Sequence, residues 1–313
     1  SGRTLAVIDP SDGQPFDEIQ RSNADDIDAA VHAARQCYQA VWQRMAPVDR
    51  GRLLQKLSAK VLEHADELTA LEQRDCGKPT KQARADAVAL ARYFEFYAGA
   101  CDKLHGETIP YLDGYSVLTW REPHGVTGHI VPWNYPMQIF GRCVGGALAA
   151  GNVCVVKPSE DACLSLLRVA ALATEVGFPA GAINIVTGYG HEVGDALARH
   201  PGIQHISFTG SPRIGTLIQQ AAAERHCPVT LELGGKSPQI VFADADLDAA
   251  VPVIVNAIVQ NSGQTCSAGS RLLIDSLIYE PLLERLAQAF ESLRVGPAAM
   301  DLDLGPLIRQ SQQ

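Results

Sequence analysis

A chain of 313 residues is long enough for one large domain or two ordinary ones, each with a proper core. Its 46% hydrophobic and 19% charged content is that of a soluble globular protein, and no apolar run approaches a bilayer span. A formal net charge of −9 argues against nucleic-acid and anionic-membrane partners.

The chain opens SGRTLAVIDP, without a signal-peptide pattern. Residues 5–20 read as two short extended pieces around the turn Pro10-Ser11-Asp12-Gly13. Ser22-Asn23 then caps a helix whose apolar positions Ile27, Ala30, Val31, Ala34, Tyr38 and Val41 follow helical spacing. One further helix is expected through Leu53, Leu54, Leu57, Val61, Leu62, Leu68 and Leu71, and another from near Pro79 to about Ala100. Gly77-Lys78-Pro79-Thr80 glances at a phosphate loop, but Glu72 stands where its first glycine belongs. Residues 105–124 change character and predict a hairpin around Asp113-Gly114, projecting towards another subunit.

From Gly125 the pattern is regular. Strand-like runs at 126–131, 152–156, 182–187, 203–208 and 228–233 alternate with helix-like runs at 136–149, 161–176, 191–199 and 213–224. That alternation predicts an α/β fold with a doubly wound parallel, Rossmann-like sheet. Ligands bind such sheets at the carboxyl ends of strands. Pro132-Trp133-Asn134, Lys157, Gly188 and Gly190, Thr209-Gly210-Ser211 and Gly234 all fall at those ends. After Gly235 a strand-like run (Pro238 to Phe242), an acidic turn and an apolar helix (Ala249 to Val259) open a second unit.

The eight cysteines (Cys37, Cys76, Cys101, Cys143, Cys154, Cys163, Cys227 and Cys266) form no CxxC pair, and no HExxH occurs. No metal site is therefore expected, and free thiols suit a reducing, cytoplasmic setting. Most of these thiols read as buried structural groups. Cys266 differs, because Gly263, Gln264, Thr265, Ser267, Ala268 and Gly269 around it resemble neither a strand nor a helix interior. A thiolate adds readily to an aldehyde, and a nearby carboxylate can serve the hydrolysis of the adduct. Glu232 is the candidate acid: it interrupts the apolar run Val229 to Leu233, so partial burial and a raised pKa are expected. Asn134, in PWNYP, is either a turn residue or an amide donor to an oxyanion. Gly210-Ser211-Pro212-Arg213-Ile214-Gly215 opens a helix after a strand, a site whose N–H groups favour a pyrophosphate. Gly235-Lys236-Ser237 is not a Walker loop, because Thr230 replaces its first glycine.

LELGGKSP followed by GQTC resembles the paired active-site signatures of the NAD(P)-dependent aldehyde dehydrogenase superfamily. The resemblance runs in order over nearly the whole chain and implies a family member truncated at its C-terminus. It implies a dinucleotide-binding domain (1–104 and 124–234), an oligomerisation hairpin (105–123) and an incomplete α/β catalytic domain (235–313). It implies Cys266 as nucleophile, Glu232 as general base and Asn134 as oxyanion donor. For the cofactor it implies Ile130, Pro132, Trp133, Lys157, Ser159, Glu160, Gly190, Gly194, Phe208, Thr209, Gly210, Ser211 and Leu233. A carboxylate at Glu160 would repel a 2′-phosphate, so NAD is favoured, with NADP possible. Tyr135, Ile139 and Arg142 would line the substrate tunnel. Arg142 is an arginine shared with succinate-semialdehyde dehydrogenases, although Gln260 stands where those enzymes carry a second one. The implied substrate is a small aldehyde, and the implied assembly a homo-dimer or homo-tetramer. Two other readings stand beside oxidation: a catalytically silent chain that keeps dinucleotide binding or an assembly role, and a cysteine-dependent esterase.

Overall fold

The structure, a computed structural model, describes residues 2–313. β1 (Thr4–Ile8) and β2 (Pro15–Gln20) pair antiparallel across the Pro10–Gly13 turn. α1 (Ala24–Ala40) starts on a reciprocal capping box. The Asn23 side chain accepts from the N–H groups of Asp25 and Asp26, and the Asp26 carboxylate accepts from the Asn23 N–H. Four apolar residues of α1, Ile27, Val31, Ala34 and Cys37, enter the main core.

The single helix expected from Leu53 to Leu71 is two: α2 (Pro47–Glu63) and α3 (Ala65–Cys76), broken at His64. The apolar spacing continues through the break because Leu57, Val61 and Leu68 reach the same core, so periodicity does not register a one-residue kink. Gly77, at φ +76°, ends α3, a left-handed position that costs glycine little. α4 (Thr80–Ala100) follows Pro79 and packs on α2, α3 and α5 (Pro136–Ala149). The expected hairpin is present but short. Only β3 (Thr108–Ile109) and β4 (Val117–Leu118) pair, and Tyr111, Leu112, Tyr115 and Trp120 beside them are exposed. A lone two-stranded ribbon has little to hold longer strands in register.

The centre of the molecule is a parallel five-stranded sheet. It comprises β5 (Val126–Val131), β6 (Val153–Pro158), β7 (Ile183–Ile185), β8 (His205–Gly210) and β9 (Val229–Leu233). Their spatial order is β7-β6-β5-β8-β9, every pair parallel. The chain thus moves outward from β5 to β7, then crosses back to β8 and β9. Right-handed crossovers put the helices of the two halves on opposite faces and leave a crevice where the order reverses, between the carboxyl ends of β5 and β8. α5 packs on β5 and β6, α6 (Leu164–Glu175) on β7, and α8 (Pro212–Ala223) on β8 and β9. The helix expected at 191–199 is a π-helical turn, Gly190–Gly194, running into a short α7 (Asp195–Arg199).

Beyond β9 the chain forms a second, smaller core of Val241, Ile254, Val255, Leu282 and Leu286. It is built from β10 (Pro238–Val241), α9 (Leu247–Val259), β11 (Arg271–Ile274) and α10 (Tyr279–Glu291), with β10 and β11 parallel. Among the described residues no helix is long and apolar enough to cross a membrane.

Candidate active site

The strand ends do converge. At the end of β5, the Asn134 amide donates to the Gln264 carbonyl at 2.9 Å, and the Tyr135 hydroxyl meets the Thr265 hydroxyl at 2.9 Å. Both contacts land on the two residues before Cys266. At the end of β9, the Gly234 N–H donates to the Gly210 carbonyl at 3.2 Å, tying the β9 and β8 ends together. Gly235 lies against the Cys266 backbone, since a Cβ added there would sit 3.5 Å from the Cys266 carbonyl oxygen. Asn134, Gly235 and Cys266 are thus neighbours, although the sequence separates them widely.

The thiol loop is held open by unusual backbone. Asn261, Ser262 and Gly263 are consecutive left-handed residues, at φ +49°, +56° and +79°. Serine adopts this region at a cost that surrounding contacts must cover. Three contacts do so: the Asn261 N–H donates to Gln82 Oε1 (2.8 Å), the Asn261 amide to the Asn134 carbonyl (2.8 Å) and the Ser262 hydroxyl to the Gly305 carbonyl (2.8 Å). Sequence reasoning missed Asn261, Gln264 and Thr265 as functional positions. The run Asn-Ser-Gly, rich in residues that tolerate left-handed backbone, was the available signal.

All eight cysteines are free, and Cys266 is the exposed one. Burial pushes the Cys76, Cys154 and Cys163 thiols well up and Cys143 up to about 12, so those four are neutral structural groups. Glu232 departs from its expectation. It is exposed on β9, and its side chain has no hydrogen bond or ion pair among the described residues. Among the described residues β9 pairs with β8 alone and is the edge strand of the sheet.

At the carboxyl end of the fully buried β6, Lys157 is the residue before the last, Pro158. Its ammonium donates to Glu160 at 2.7 Å. The ammonium is buried and the carboxylate partly so, unlike the solvated loop that is the bland reading of these residues. Burial tends to raise the Glu160 pKa, but the Lys157 charge and the Gly190 N–H outweigh it and hold Glu160 below the usual carboxylate range. Lys157, Glu160 and Gly190 therefore form one unit. A Cβ at Gly190 or Gly194 would meet nothing, so a flat ligand can approach the backbone there. Ser159 is partly buried beside them, its hydroxyl bonded to Asp161. The Ser211 hydroxyl caps α8 by accepting from the Ile214 N–H at 3.4 Å. Phe208 is buried beneath Gly210, and Leu233 lies over Gly215. Ile130, Pro132 and Trp133 are half-buried around the β5 end, and the Trp133 carbonyl accepts from the Cys76 thiol. A cavity of about 690 Å³ borders Glu160 and Asp161 but does not reach Cys266.

Of the three residues expected along a substrate tunnel, Tyr135 faces the thiol loop, Ile139 is buried in the main core and Arg142 is exposed without a partner among the described residues. Sequence reasoning also missed what lies below Tyr135. Lys78 is completely buried, with its ammonium 4.2 Å from the centre of the Tyr135 ring. It donates to Glu72 at 2.8 Å and to Asp86. Glu72, the residue that spoils the phosphate-loop pattern, is the partner that keeps Lys78 inside.

The sequence matches the family model described as "Aldehyde dehydrogenase family" over residues 1–313. It is 45% identical over 308 residues to the hydroxyisobutyraldehyde dehydrogenase of Mycolicibacterium austroafricanum, covering 98% of this chain and 61% of that protein. Its fold is similar to the crystal structure of a putative aldehyde dehydrogenase from Burkholderia cenocepacia, with a TM-score of 0.98 and 72% identity over 99% of this chain and 65% of that one. It is also similar to the NAD+ complex of an aldehyde dehydrogenase from Bacillus cereus, with a TM-score of 0.97 and 39% identity over 99% of this chain and 64% of that one. The chain thus spans about three-fifths of the length of the curated relatives it matches.

Proposed function

The chain belongs to the aldehyde dehydrogenase family, and from that premise we propose that the protein oxidises a small aldehyde to a carboxylic acid with NAD. The observation that carries this reading is the pair of hydrogen bonds from Asn134 and Tyr135 to Gln264 and Thr265, beside the one exposed cysteine. We further divide the chain into a dinucleotide-binding domain (1–104 and 124–234), a hairpin for assembly into a homo-oligomer (105–123) and a catalytic portion (235–313).

In this reading the Cys266 thiolate adds to the carbonyl carbon, forming a C–S bond and an oxyanion. An amide nitrogen carries two hydrogens. With one on the Gln264 carbonyl, the other Asn134 N–H is free to meet the oxyanion, together with the Cys266 N–H. NAD, when bound, would supply the acceptor for the hydride on the adduct carbon, and loss of that hydride would leave the acyl group as a thioester on Cys266. The residues proposed to hold it fit a dinucleotide: Lys157 and Glu160 for the adenosine ribose, Gly190 and Gly194 as open backbone beside the adenine, and Thr209 to Ser211 at the α8 N-terminus for the pyrophosphate. Glu232 then takes a proton from water as the water attacks the thioester, the C–S bond breaks and the thiolate returns. Its exposure suits this step, because the water must reach it. Arg142, exposed and unpaired, suits a substrate carboxylate, so short aliphatic and carboxylated aldehydes are the proposed class.

The test is NADH formation by the purified protein with a short aldehyde and with a carboxylated semialdehyde. Aldehyde-dependent NADH that disappears in Cys266→Ala supports the reading. Hydrolysis of an activated ester by wild type without any NADH supports an esterase instead. Neither activity, with NAD binding retained, marks a silent chain.

A further inference from the structure

The buried charges under Tyr135 have no part in the chemistry above, yet they sit one ring away from the thiol loop. Lys78, Glu72 and Asp86 come from the α3–α4 corner and are buried together. Lys78 Nζ donates to Glu72 Oε1 and Asp86 Oδ2, Ser165 Oγ donates to Glu72 Oε2 at 3.2 Å, and Gln138 Nε2 donates to Asp86 Oδ1 at 2.5 Å. The Glu72 and Asp86 carboxyl groups are also hydrogen-bonded to each other. One ammonium faces two carboxyl groups. Burial, opposed by Lys78 and reinforced by Asp86, pushes the Glu72 carboxyl well above the usual carboxylate range, which favours its protonated form. With Glu72 in its protonated form, Lys78 and Asp86 balance in charge. The ammonium also faces the Tyr135 ring, with the neutral Cys76 thiol nearby. A desolvated ammonium is attracted to an aromatic face, and the attraction fixes the ring in plane and height. The far end of that ring is the hydroxyl bonded to Thr265.

We infer that Lys78 is a positioning residue: its buried ammonium holds the Tyr135 ring so that the Tyr135 hydroxyl pins Thr265 and, through it, the loop that carries Cys266. This role rests on the proposed function only in giving the loop a nucleophile to carry. A packing role predicts a lower melting temperature and nothing more. A positioning role predicts a change in the loop that depends on Tyr135.

The experiment uses the folded protein and two readouts: amide hydrogen exchange over residues 261–268, and alkylation of Cys266 by iodoacetamide, followed by mass. The variants are Tyr135→Phe, which keeps the ring and removes the hydroxyl, and Lys78→Met with Asp86→Asn, which removes the ammonium without leaving Asp86 charged and unpaired. Each is expected to speed exchange of the loop about tenfold. The combination is expected to add nothing to Tyr135→Phe alone. Glu72→Gln, the shape of a protonated glutamate, should leave exchange within about twofold of wild type. Unchanged loop exchange in the Lys78 variant, or effects that multiply in the combination, would overturn the proposal. If the Lys78 variant does not fold, Glu72→Asp withdraws one partner of the ammonium without changing charge. It must then speed loop exchange at least about twofold, and no change counts against the proposal. The two readings fail separately. Exchange that responds while iodoacetamide shows no preference for Cys266 removes the nucleophile and keeps the anchor. Selective alkylation with exchange indifferent to Lys78 does the reverse.

Discussion

β6 lies inside the sheet between β5 and β7, and every residue from Val153 to Pro158 is buried; β9 lies at the edge beside β8 alone, and Thr230, Glu232 and Leu233 are exposed. Both strands carry an ionisable side chain at or near their carboxyl ends. At the β6 end, burial forces Lys157 into a pair with Glu160, and the two are fixed before any ligand arrives. At the β9 edge the Glu232 side chain is exposed and has no hydrogen-bond or ion-pair partner among the described residues. A structural charge and a candidate proton acceptor are thus separated by their place in one sheet, not by residue type. The first should cost folding when removed, and the second should cost turnover alone.

The largest effect tests the edge. Glu232→Gln is expected to slow hydrolysis of the Cys266 thioester by about 10²–10⁴-fold, the usual weight of a general base. A pre-steady-state burst of NADH should persist while steady turnover collapses. Because Glu232 is exposed and unpaired, urea unfolding should shift by no more than about 0.5 kcal/mol. A loss of stability with turnover intact would break the contrast.

The interior strand should respond in the opposite way. Lys157→Met leaves the Glu160 carboxylate without its ammonium. Breaking a buried pair costs about 3–5 kcal/mol. The lower end is expected here, because 26% of the Glu160 side chain still meets water. Urea unfolding measures this directly. The carboxylate should also titrate higher once the charge that lowers it is gone.

The same contrast explains what the sequence made legible. The run of β6, VCVVKP, and that of β9, VTLEL, look alike as strings, and both were recognised as strands. The alternation of strands and helices carried the parallel sheet and the clustering of its ends. Burial did not follow from the strings, because it depends on which strands flank each one, and sheet order is a long-range fact. Glu232 was therefore expected to be half-buried and is not. Lys78 was weighed only against a phosphate loop, because two acids six and eight residues away are brought to it by the α3–α4 corner, not by spacing. The break at His64 was invisible for the converse reason: both helices feed one core. The motifs around Asn134, Glu232 and Cys266 suggest candidate chemistry in the sequence, but the hydrogen bonds that join Asn134 and Tyr135 to Gln264 and Thr265 do not show there.

A smaller effect comes from β5, the strand at the centre of the sheet. His129 is buried, with Nε2 2.9 Å from the Thr127 hydroxyl and Nδ1 without a partner. The Thr127 hydroxyl can donate to the Val153 carbonyl at 3.0 Å, which places the ring hydrogen on Nε2. Burial, with a smaller contribution from His205, lowers its pKa to about 3. A depressed value means that the neutral ring contributes stability above the unfolded pKa of 6.5, which is lost as pH falls towards 3. His129→Leu removes that dependence. Near neutral pH the variant should match wild type within about 1 kcal/mol, since an unpartnered buried nitrogen is removed along with one hydrogen bond. Below pH 6.5 it should gain on wild type by up to about 1.4 kcal/mol for each unit of acidification, read from paired urea titrations. Parallel curves would mean that the ring is not held neutral.

The smallest effect returns to the edge. Gly215 lies in α8, and an added Cβ would come within 2.7 Å of Leu233 Cδ2. In an interior strand such a clash has nowhere to go. Here its partner is the end of a flexible side chain on the open strand, 36% exposed, and it can turn outward. Alanine in place of glycine also favours a helix by about 1 kcal/mol. The two terms nearly cancel, so Gly215→Ala should unfold in urea within about 1 kcal/mol of wild type. If Leu233 instead helps to seat the nicotinamide end of the cofactor, turning it away should weaken NAD binding with the fold unchanged. Isothermal titration of the variant separates the two: stability near wild type with weakened binding keeps Leu233 in the site, whereas a large loss of stability would mean that the β9 edge is as tightly packed as β6.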